Sequence, residues 1–579
     1  MAKRINSPDT AADINLRRCL DTSPCISFNM IAGAGSGKTT SLVKALHHII
    51  STQESSLKKQ GQKIACITYT EIAAKEIWED VGNNPLAHVS TIHSFLWTVI
   101  QPFQKDIKKW VLGNTVAKIE ALQEKIVNYS PLVQQRTKDR EAKQLERLRA
   151  TSLTINNVPF FNYGTGSNYA KGVLGHDDII KLVPQLIEER TLLNTILSQK
   201  YPYVFIDESQ DTFPNIVHAF KKIDQQHSGK FCLGFFGDPM QKIYPTGIGE
   251  IPVEENWEII KKPENFRCSK SVLDLINNIR KQSDGLEQTG GRCEVIEGKP
   301  EIVQGSAQIF ILPTDDHREE NLSKVKQWCS DKFKDEAWKN DNEIKVFVIV
   351  HRMAAIRLGF PNLYAAMNDN SPSSFKDGFL DGTSWPLKPF LNFILPLVKF
   401  NNESKKFEVA ALVRSNSVKL MGESLKNPNL PENMKALKGG VDILTEMMAA
   451  NSQATVIDVL KLIQEKELAT LDRRLVDHIN GTVLTPEVEK GEENPIDAEI
   501  ESMKLYFACP ATELWGYKTY FEKESPFATQ QGVKGAEFER VITILDDEEG
   551  THNQFSYDKL FGVDDLSKID LDNIQQGKD

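Results

Sequence analysis

The pattern of apolar and polar positions changes character several times along the chain. From Ser27 the sequence runs SFNMIAGAGSGKTTSLVKALHHII: an apolar run, a glycine-rich turn, then Leu42, Val43, Leu46, Ile49 and Ile50 at helical spacing. This order predicts strand, loop and helix. A second apolar run at 63–68 (KIACIT) precedes a predicted helix from Ala73 to Val81. Further strands are predicted at Tyr203–Ile206, Phe231–Phe236, Lys345–Val350 and Arg540–Leu545. Strands that alternate with helices form parallel α/β sheets, and these are spread too widely for one sheet. The pattern therefore predicts two sheet domains, each interrupted by an insertion.

The first insertion begins near Gln101. Ile119, Leu122, Ile126, Tyr129 and Val133 follow the 3,4 spacing of a coiled-coil seam, disturbed by Pro131, so a helical arm is expected. From Arg136 to Arg149 six basic residues stand against three acidic ones, and the stretch FFNYGTGSNYAKG follows. Both a solvated helix with a turn and a DNA-contacting arm fit that composition. The second insertion, about 359–501, carries helical runs at Val441–Ala450 and Val456–Leu468 and no chemical signature.

Composition narrows the class. With 579 residues, 40% hydrophobic and 26% charged, the chain is too long for one small binding module and too apolar for global disorder. No apolar stretch approaches the roughly 20 residues of a spanning helix, and the first residues lack a signal-peptide core. Eight cysteines without a CxxC pair argue against a zinc ribbon, an iron–sulfur site or a disulfide framework. The expected setting is a reducing cytoplasm, with no membrane partner. A net charge of −10 means that nucleic acid would have to be gripped by a local basic channel.

The candidate chemistry starts at Ala32, Gly33, Ala34, Gly35, Ser36, Gly37, Lys38 and Thr39, followed by Thr40. This is the P-loop pattern with Ala32 in place of its first glycine. Glycines let successive N–H groups curl toward phosphate oxygens at the positive end of the next helix. Lys38 would reach the β- and γ-phosphates, and Thr39 would ligate Mg²⁺. The run YVFIDESQD supplies the complementary carboxylates: Asp207 for the metal, and Glu208 to orient or deprotonate the attacking water.

In order along the chain, the remaining runs resemble the motif set of superfamily 1A helicases, the UvrD/Rep/PcrA group. TYTEIAAKEI resembles motif Ia, TIHSF (Thr91 to Phe95) motif Ib, DESQD motif II, GDPMQKIY motif III and ENFR motif IV. VFVIVHRMAAI resembles the family's second-domain strand, and TQQGVKGAEF (Thr529 to Phe538) resembles motif V. The resemblance implies an α/β fold of two RecA-like parallel-sheet domains, a P-loop NTPase with mainly helical insertions. It divides the chain into a first sheet domain at 1–100 and 173–265, a helical arm at 101–172, a second sheet domain at 266–358 and 502–579, and a helical insertion at 359–501.

The resemblance further implies ATP and Mg²⁺ at the interface of two domains, and single-stranded or partly duplex DNA as the track. Gln241 would sense the γ-phosphate, and Arg267, expected to arrive from the second domain, would stabilise transition-state charge. Phe266 would stack on adenine and Glu537 would accept from the ribose hydroxyls. Tyr69, Thr91, His93 and Phe95 fall where the family meets DNA. Taken singly, Tyr69 and His93 would more often be packing or surface groups, and it is their place in the motifs that favours DNA contact.

Three departures stand out. Asp9 occupies the place of the glutamine that reads adenine; it can accept from N6 but cannot donate to N7. Pro245 and Thr246 stand where the family has an Arg-Trp pair. No motif VI arginine run follows motif V before Asp579, for which truncation, an arginine supplied in trans and a weakened ATPase are the explanations, truncation being preferred.

The leading expectation is an ATP-dependent motor on single-stranded DNA, moving 3′ to 5′ by resemblance. The alternative is a nucleotide- or DNA-sensing subunit, similar to the helicase-like subunits of Gabija-type anti-phage systems that work with an OLD-type nuclease. Two other clusters are set aside. His176, Asp177 and Asp178 suit a helix start with an aspartate cap better than a metal, and Asp458 with Glu465 and Lys466 suits a solvated helix face.

Overall fold

The computed structural model describes residues 4–129, 135–164, 167–369, 371–380, 382–420, 429–482, 495–522, 524–533, 535–550 and 556–575. Pro131, Val133 and the last residues, 576–579, lie outside them. The chain divides into two compact units, Met1–Val133 with Glu141–Ile309, and Gln134–Arg140 with Phe310–Asp579.

Unit 1 is built on six parallel strands: β1 (Phe28–Ala32), β2 (Ile64–Thr68), β3 (Ala87–Thr91), β4 (Tyr203–Asp207), β5 (Cys232–Gly237) and β6 (Glu258–Lys262). Their order is β3-β2-β4-β5-β1-β6, every neighbouring pair parallel. Side chains two apart share a face, and both faces of the four inner strands are covered, which is why β1, β2, β4 and β5 read as nearly continuous apolar runs while the edge strands β3 (AHVST) and β6 (EIIKK) do not. Ala65, Ile67, Val204, Ile206, Leu233 and Phe235 enter one core. Phe28, Met30, Ile64, Cys66, Phe205 and Phe236 enter the other.

Helices α1 (Ala11–Asp21), α2 (Lys38–Gln60) and α3 (Glu71–Asp80) cover the second of these faces, through Leu16, Leu42, Leu46, Ile49 and Ile77. The first face is covered by α4 (Ile92–Ile100), α7 (His176–Glu189) and α8 (Pro214–Gln226). Between α4 and α7 come α5 (Gln104–Val127) and α6 (Gln135–Ile155), the expected helical arm. Its buried anchor is Glu141, which accepts from Lys125 Nζ and the Tyr129 hydroxyl, each at 2.6 Å. Tyr129 therefore lies past the end of α5, not on a continuing seam.

The division between units falls after Ile309, about 40 residues beyond the boundary expected at 265/266. Helix α9 (Lys270–Ser283) is the reason, because its Arg280 is locked into unit 1 by a buried ion pair with Asp238. Arg267 consequently belongs to unit 1 and not to the second sheet domain.

Unit 2 holds a three-stranded parallel sheet, β7 (Lys345–Val348) between β8 (Phe527–Ala528) and β9 (Val541–Ile544). Most of its buried side chains belong instead to a helical body formed by α10 (Pro361–Asn368), α11 (Leu395–Asn402), α12 (Leu430–Met447), α13 (Val456–Lys466), α14 (Pro495–Ala508) and α15 (Glu513–Phe521). Buried Glu513 on α15 accepts from Leu363 N and Asn362 Nδ2, satisfying the open start of α10. Among the described residues, no helix is long and apolar enough to cross a membrane.

Candidate nucleotide site

The motif residues of unit 1 converge because parallel strands deliver them to one edge of the sheet. The P-loop follows β1, Asp207 ends β4, Asp238 follows β5, and Tyr69 and Thr91 lie at the ends of β2 and β3. This is the carboxyl edge, where open α/β sheets place their ligands.

Gly35 and Gly37 adopt left-handed conformations, with φ of 74° and 78°, which turn the backbone into the start of α2. Ser36 Oγ is buried with no partner among the described residues, as a donor reserved for an oxygen-rich ligand would be. Lys38, 8% exposed, donates to Glu208 Oε2 at 3.0 Å. Burial alone would lower the Lys38 pKa, but Glu208, Asp207 and Asp238 outweigh it and raise it, so the ammonium stays charged. Such a loop can take a polyphosphate. Thr39 and buried Asp207 supply the hydroxyl and single carboxylate that suit Mg²⁺, which prefers few protein ligands beside phosphate oxygens.

Glu208 itself is held in a left-handed conformation, φ 51° and ψ 44°. Its Oε2 also accepts from Gln210 Nε2 at 2.8 Å. Gln210 is fully buried, and its carbonyl accepts from Asp238 N at 3.1 Å, tying motif II to motif III. Gln241 Nε2 donates to Asp238 Oδ2 at 2.7 Å.

A second set of residues fixes the P-loop from the side of motif IV. Asn265 Nδ2 and Gln288 Nε2 donate to Ala34 O at 2.8 and 3.1 Å, and Phe266 N donates to Gly35 O at 2.9 Å. A Cβ at Gly33 would come within 2.4 Å of the Gln288 amide, so a larger residue there would displace Gln288 from Ala34 O. Asn265 Oδ1 in turn accepts from Arg267 N at 3.0 Å, placing that arginine beside the loop. The Phe266 ring is 59% exposed and open to a stacking partner. Glu537 lies exposed on unit 2, ahead of β9.

The family's DNA-facing residues divide. Tyr69 stacks on Tyr244 with centroids 4.5 Å apart and planes at 25°, and Asp211 holds Ile243 N and Tyr244 N at 3.0 and 3.2 Å. His93 packs edge-on against His176 and beside Phe213, and burial pushes its pKa down to about 4. The Thr91 hydroxyl donates to Glu71 Oε1 at 3.0 Å and lies 3.0 Å from the Ser94 hydroxyl. Phe95 is a correction: it is fully buried among His88, Tyr201 and Phe220 and supports the loop from within. Asp9, expected near the base, is engaged by Arg17 and by Lys44, the latter at 3.1 Å.

At α7 the cap is Gly175, while Asp178, at the third position, accepts from Gly175 N, Ser167 and Tyr169. Asp458 closes a capping box with Thr455. The residues that sequence reasoning missed are Gln210, Asp238, Tyr244, Asn265, Arg280 and Gln288. Those inside motifs could have been found from the motif itself, whereas Arg280 and Gln288 carry no local signal.

The AAA domain family matches residues 22–246, which contain the P-loop and motifs Ia to III. The chain is 24% identical to the Gabija protein GajB of Bacillus cereus strain HuB5-5 over 93% of its own length and 87% of the relative's. The chain is similar to UvrD/Rep-like helicases over part of its length and to GajB over most of it. It is also 27% identical to GajB of Bacillus cereus strain VD045, over 44% of the chain and 47% of that protein. The ATP-dependent DNA helicase Rep of Buchnera aphidicola, Acyrthosiphon pisum strain, is 24% identical over 45% of the chain. The chain spans 43% of that helicase's length, so likeness to Rep is confined to part of each molecule.

Proposed function

We propose that the chain hydrolyses ATP, with Mg²⁺, and uses the cycle to move along single-stranded DNA, 3′ to 5′ as the family resemblance suggests. The observation that carries this reading is one short segment with two duties. Gln210 holds Glu208 beside Lys38, and the next residue, Asp211, holds the backbone that positions Tyr244 against Tyr69. A shift of this segment moves the phosphate end and the aromatic platform together.

Lys38 is paired with Glu208, so a triphosphate that competes for the ammonium frees the carboxylate to accept a proton from water. Arg267 and Lys38 then face the charge that develops on the transferred group. Thr39 and Asp207 would hold Mg²⁺, which when bound neutralises phosphate charge. Phe266 stacks on the base, and Glu537 is the ribose acceptor that the resemblance assigns. Tyr69 and Tyr244 offer the π-faces that sequence-tolerant base stacking uses.

A second reading is favoured by the extent of the GajB match, 93% of the chain against 45% for Rep. Here the same site senses nucleotide or DNA inside a defence complex with a nuclease, and unwinds little. Steady-state ATP hydrolysis with and without single-stranded DNA, on wild type, Lys38→Ala and Glu208→Gln, tests the first reading. DNA stimulation lost in both variants supports the motor. Turnover indifferent to DNA, together with a nuclease that co-purifies, supports the sensor.

A further inference from the structure

Asp238 is fully buried and carries four hydrogen bonds on its carboxylate. Arg280, 3% exposed, reaches it from α9 with Nη1 on Oδ2 at 2.8 Å and Nη2 on Oδ1 at 2.9 Å. Met240 N donates to Oδ1 and Gln241 Nε2 to Oδ2, at 3.2 and 2.7 Å. Asp284 closes the other side of the guanidinium at 2.5 Å. Burial would lower the Arg280 pKa, but these carboxylates raise it.

The chemistry of this arrangement constrains Gln241. An amide can turn either end toward a neutral partner, but an ionised carboxylate only accepts. Both Asp238 oxygens already accept from the arginine fork, and the Gln241 NH₂ donates to Oδ2 beside it. The Gln241 side-chain carbonyl is thereby left pointing away, and among the described residues its Oε1 accepts from nothing, while the backbone carbonyl takes a long bond from Gln210 Nε2. We propose that Arg280, acting through Asp238, is a positioning residue that fixes the Gln241 amide with its carbonyl outward, able to accept from the attacking water.

The same helix steadies the P-loop. Asn277 on α9 exchanges bonds with the Gln288 backbone at 2.8 and 2.9 Å, and Gln288 holds Ala34 O. Arg280 and Asn277 thus set Gln241 and the phosphate loop against one rigid element. The inference rests on the nucleotide-hydrolysis reading of this site and adds a residue outside every motif.

The test combines ATP turnover with binding of a fluorescent ATP analogue, on the full chain, for wild type, Arg280→Met, Arg280→Lys, Asp238→Asn, Gln241→Ala and the double variant Gln241→Ala/Arg280→Met. Arg280→Met is expected to lower kcat at least about tenfold, as small misplacements of reacting groups do. The analogue's Kd should stay within about threefold, because uniform binding is untouched. Arg280→Lys keeps the charge without the fork and should fall between. In the Gln241→Ala background, Arg280→Met should cost no further kcat.

Additive losses in the double variant, or a kcat that survives Arg280→Met while the melting temperature drops, would overturn the inference and leave the reading of the site intact. If Arg280→Met does not fold, Asp238→Asn and Arg280→Lys carry the same comparison, since an uncharged carboxamide no longer dictates which end of Gln241 it meets. Wild type that binds the analogue without turnover defeats the hydrolysis reading and this inference with it.

Discussion

The two units bury their polar groups in opposite ways. Unit 1 places Lys38, Asp207, Gln210, Asp238 and Arg280 inside or nearly so, linked to one another directly or through Glu208. The helical body of unit 2 is sealed by apolar and aromatic side chains, and its buried polar atoms close local gaps, as Tyr517 does on Phe379 O and Tyr506 on Pro386 O. A buried polar network adds little net stability but admits few arrangements, whereas an apolar core contributes stability and tolerates exchange of similar volumes. Substitutions in unit 1 should therefore show first in turnover, and those in unit 2 first in melting.

The strongest way to break that contrast is at Glu208. Glu208→Gln keeps the shape and removes the base, and is expected to lower ATP turnover by roughly 10²- to 10⁴-fold with melting nearly unchanged. Comparable loss from an isosteric change in the helical body would refute the division of labour. Phe390→Ala, at a fully buried site in unit 2, is expected to destabilise by about 3–5 kcal/mol. Calorimetry on this variant should move the transition of unit 2 and leave analogue binding as in wild type.

A smaller effect separates the two ends of unit 1. Tyr69→Ala should weaken single-stranded DNA binding by about 1–3 kcal/mol, read by fluorescence anisotropy at fixed salt, with ATP-analogue affinity preserved. The smallest is the pH response of His93. Its pKa is about 4 in the fold against an ordinary 6.5, so the unfolded chain takes the proton first as pH falls. The stability it contributes is complete above pH 6.5 and is lost toward pH 4, by about 3 kcal/mol. His93→Gln should flatten the urea midpoint of unit 1 over that window, and an unchanged slope would show that the ring is hydrated.

How much of this could be read from the chain follows from the same contrast. The four inner strands of unit 1 and the P-loop were legible because doubly covered strands are apolar throughout and the loop needs glycine where φ is positive, whereas the edge strands β3 and β6, polar on one side, were not. DESQD was legible because carboxylates at a strand end have few other uses beside such a loop. Phe95 was misplaced by its motif although its helix told otherwise: Ile92, Phe95, Leu96 and Ile100 fall at i, i+3, i+4 and i+8, the inward stripe of α4. Asn277, Arg280 and Gln288 were invisible because a polar residue on an amphipathic helix or in a loop looks solvated until the fold supplies its partner. The boundary between units shifted for that reason too, since a buried arginine pair joins residues 42 positions apart.

The backbone at Glu208 carries a last consequence. A residue with a Cβ at φ 51° and ψ 44° sits where only glycine is at ease, at a cost of about 1–2 kcal/mol. Glycine at 208 would relieve that strain and delete the carboxylate at once. Screens that rank variants by thermal robustness alone would thus favour inactive molecules at this position, and a thermostabilised version of the chain should be selected on heat resistance and ATP turnover jointly.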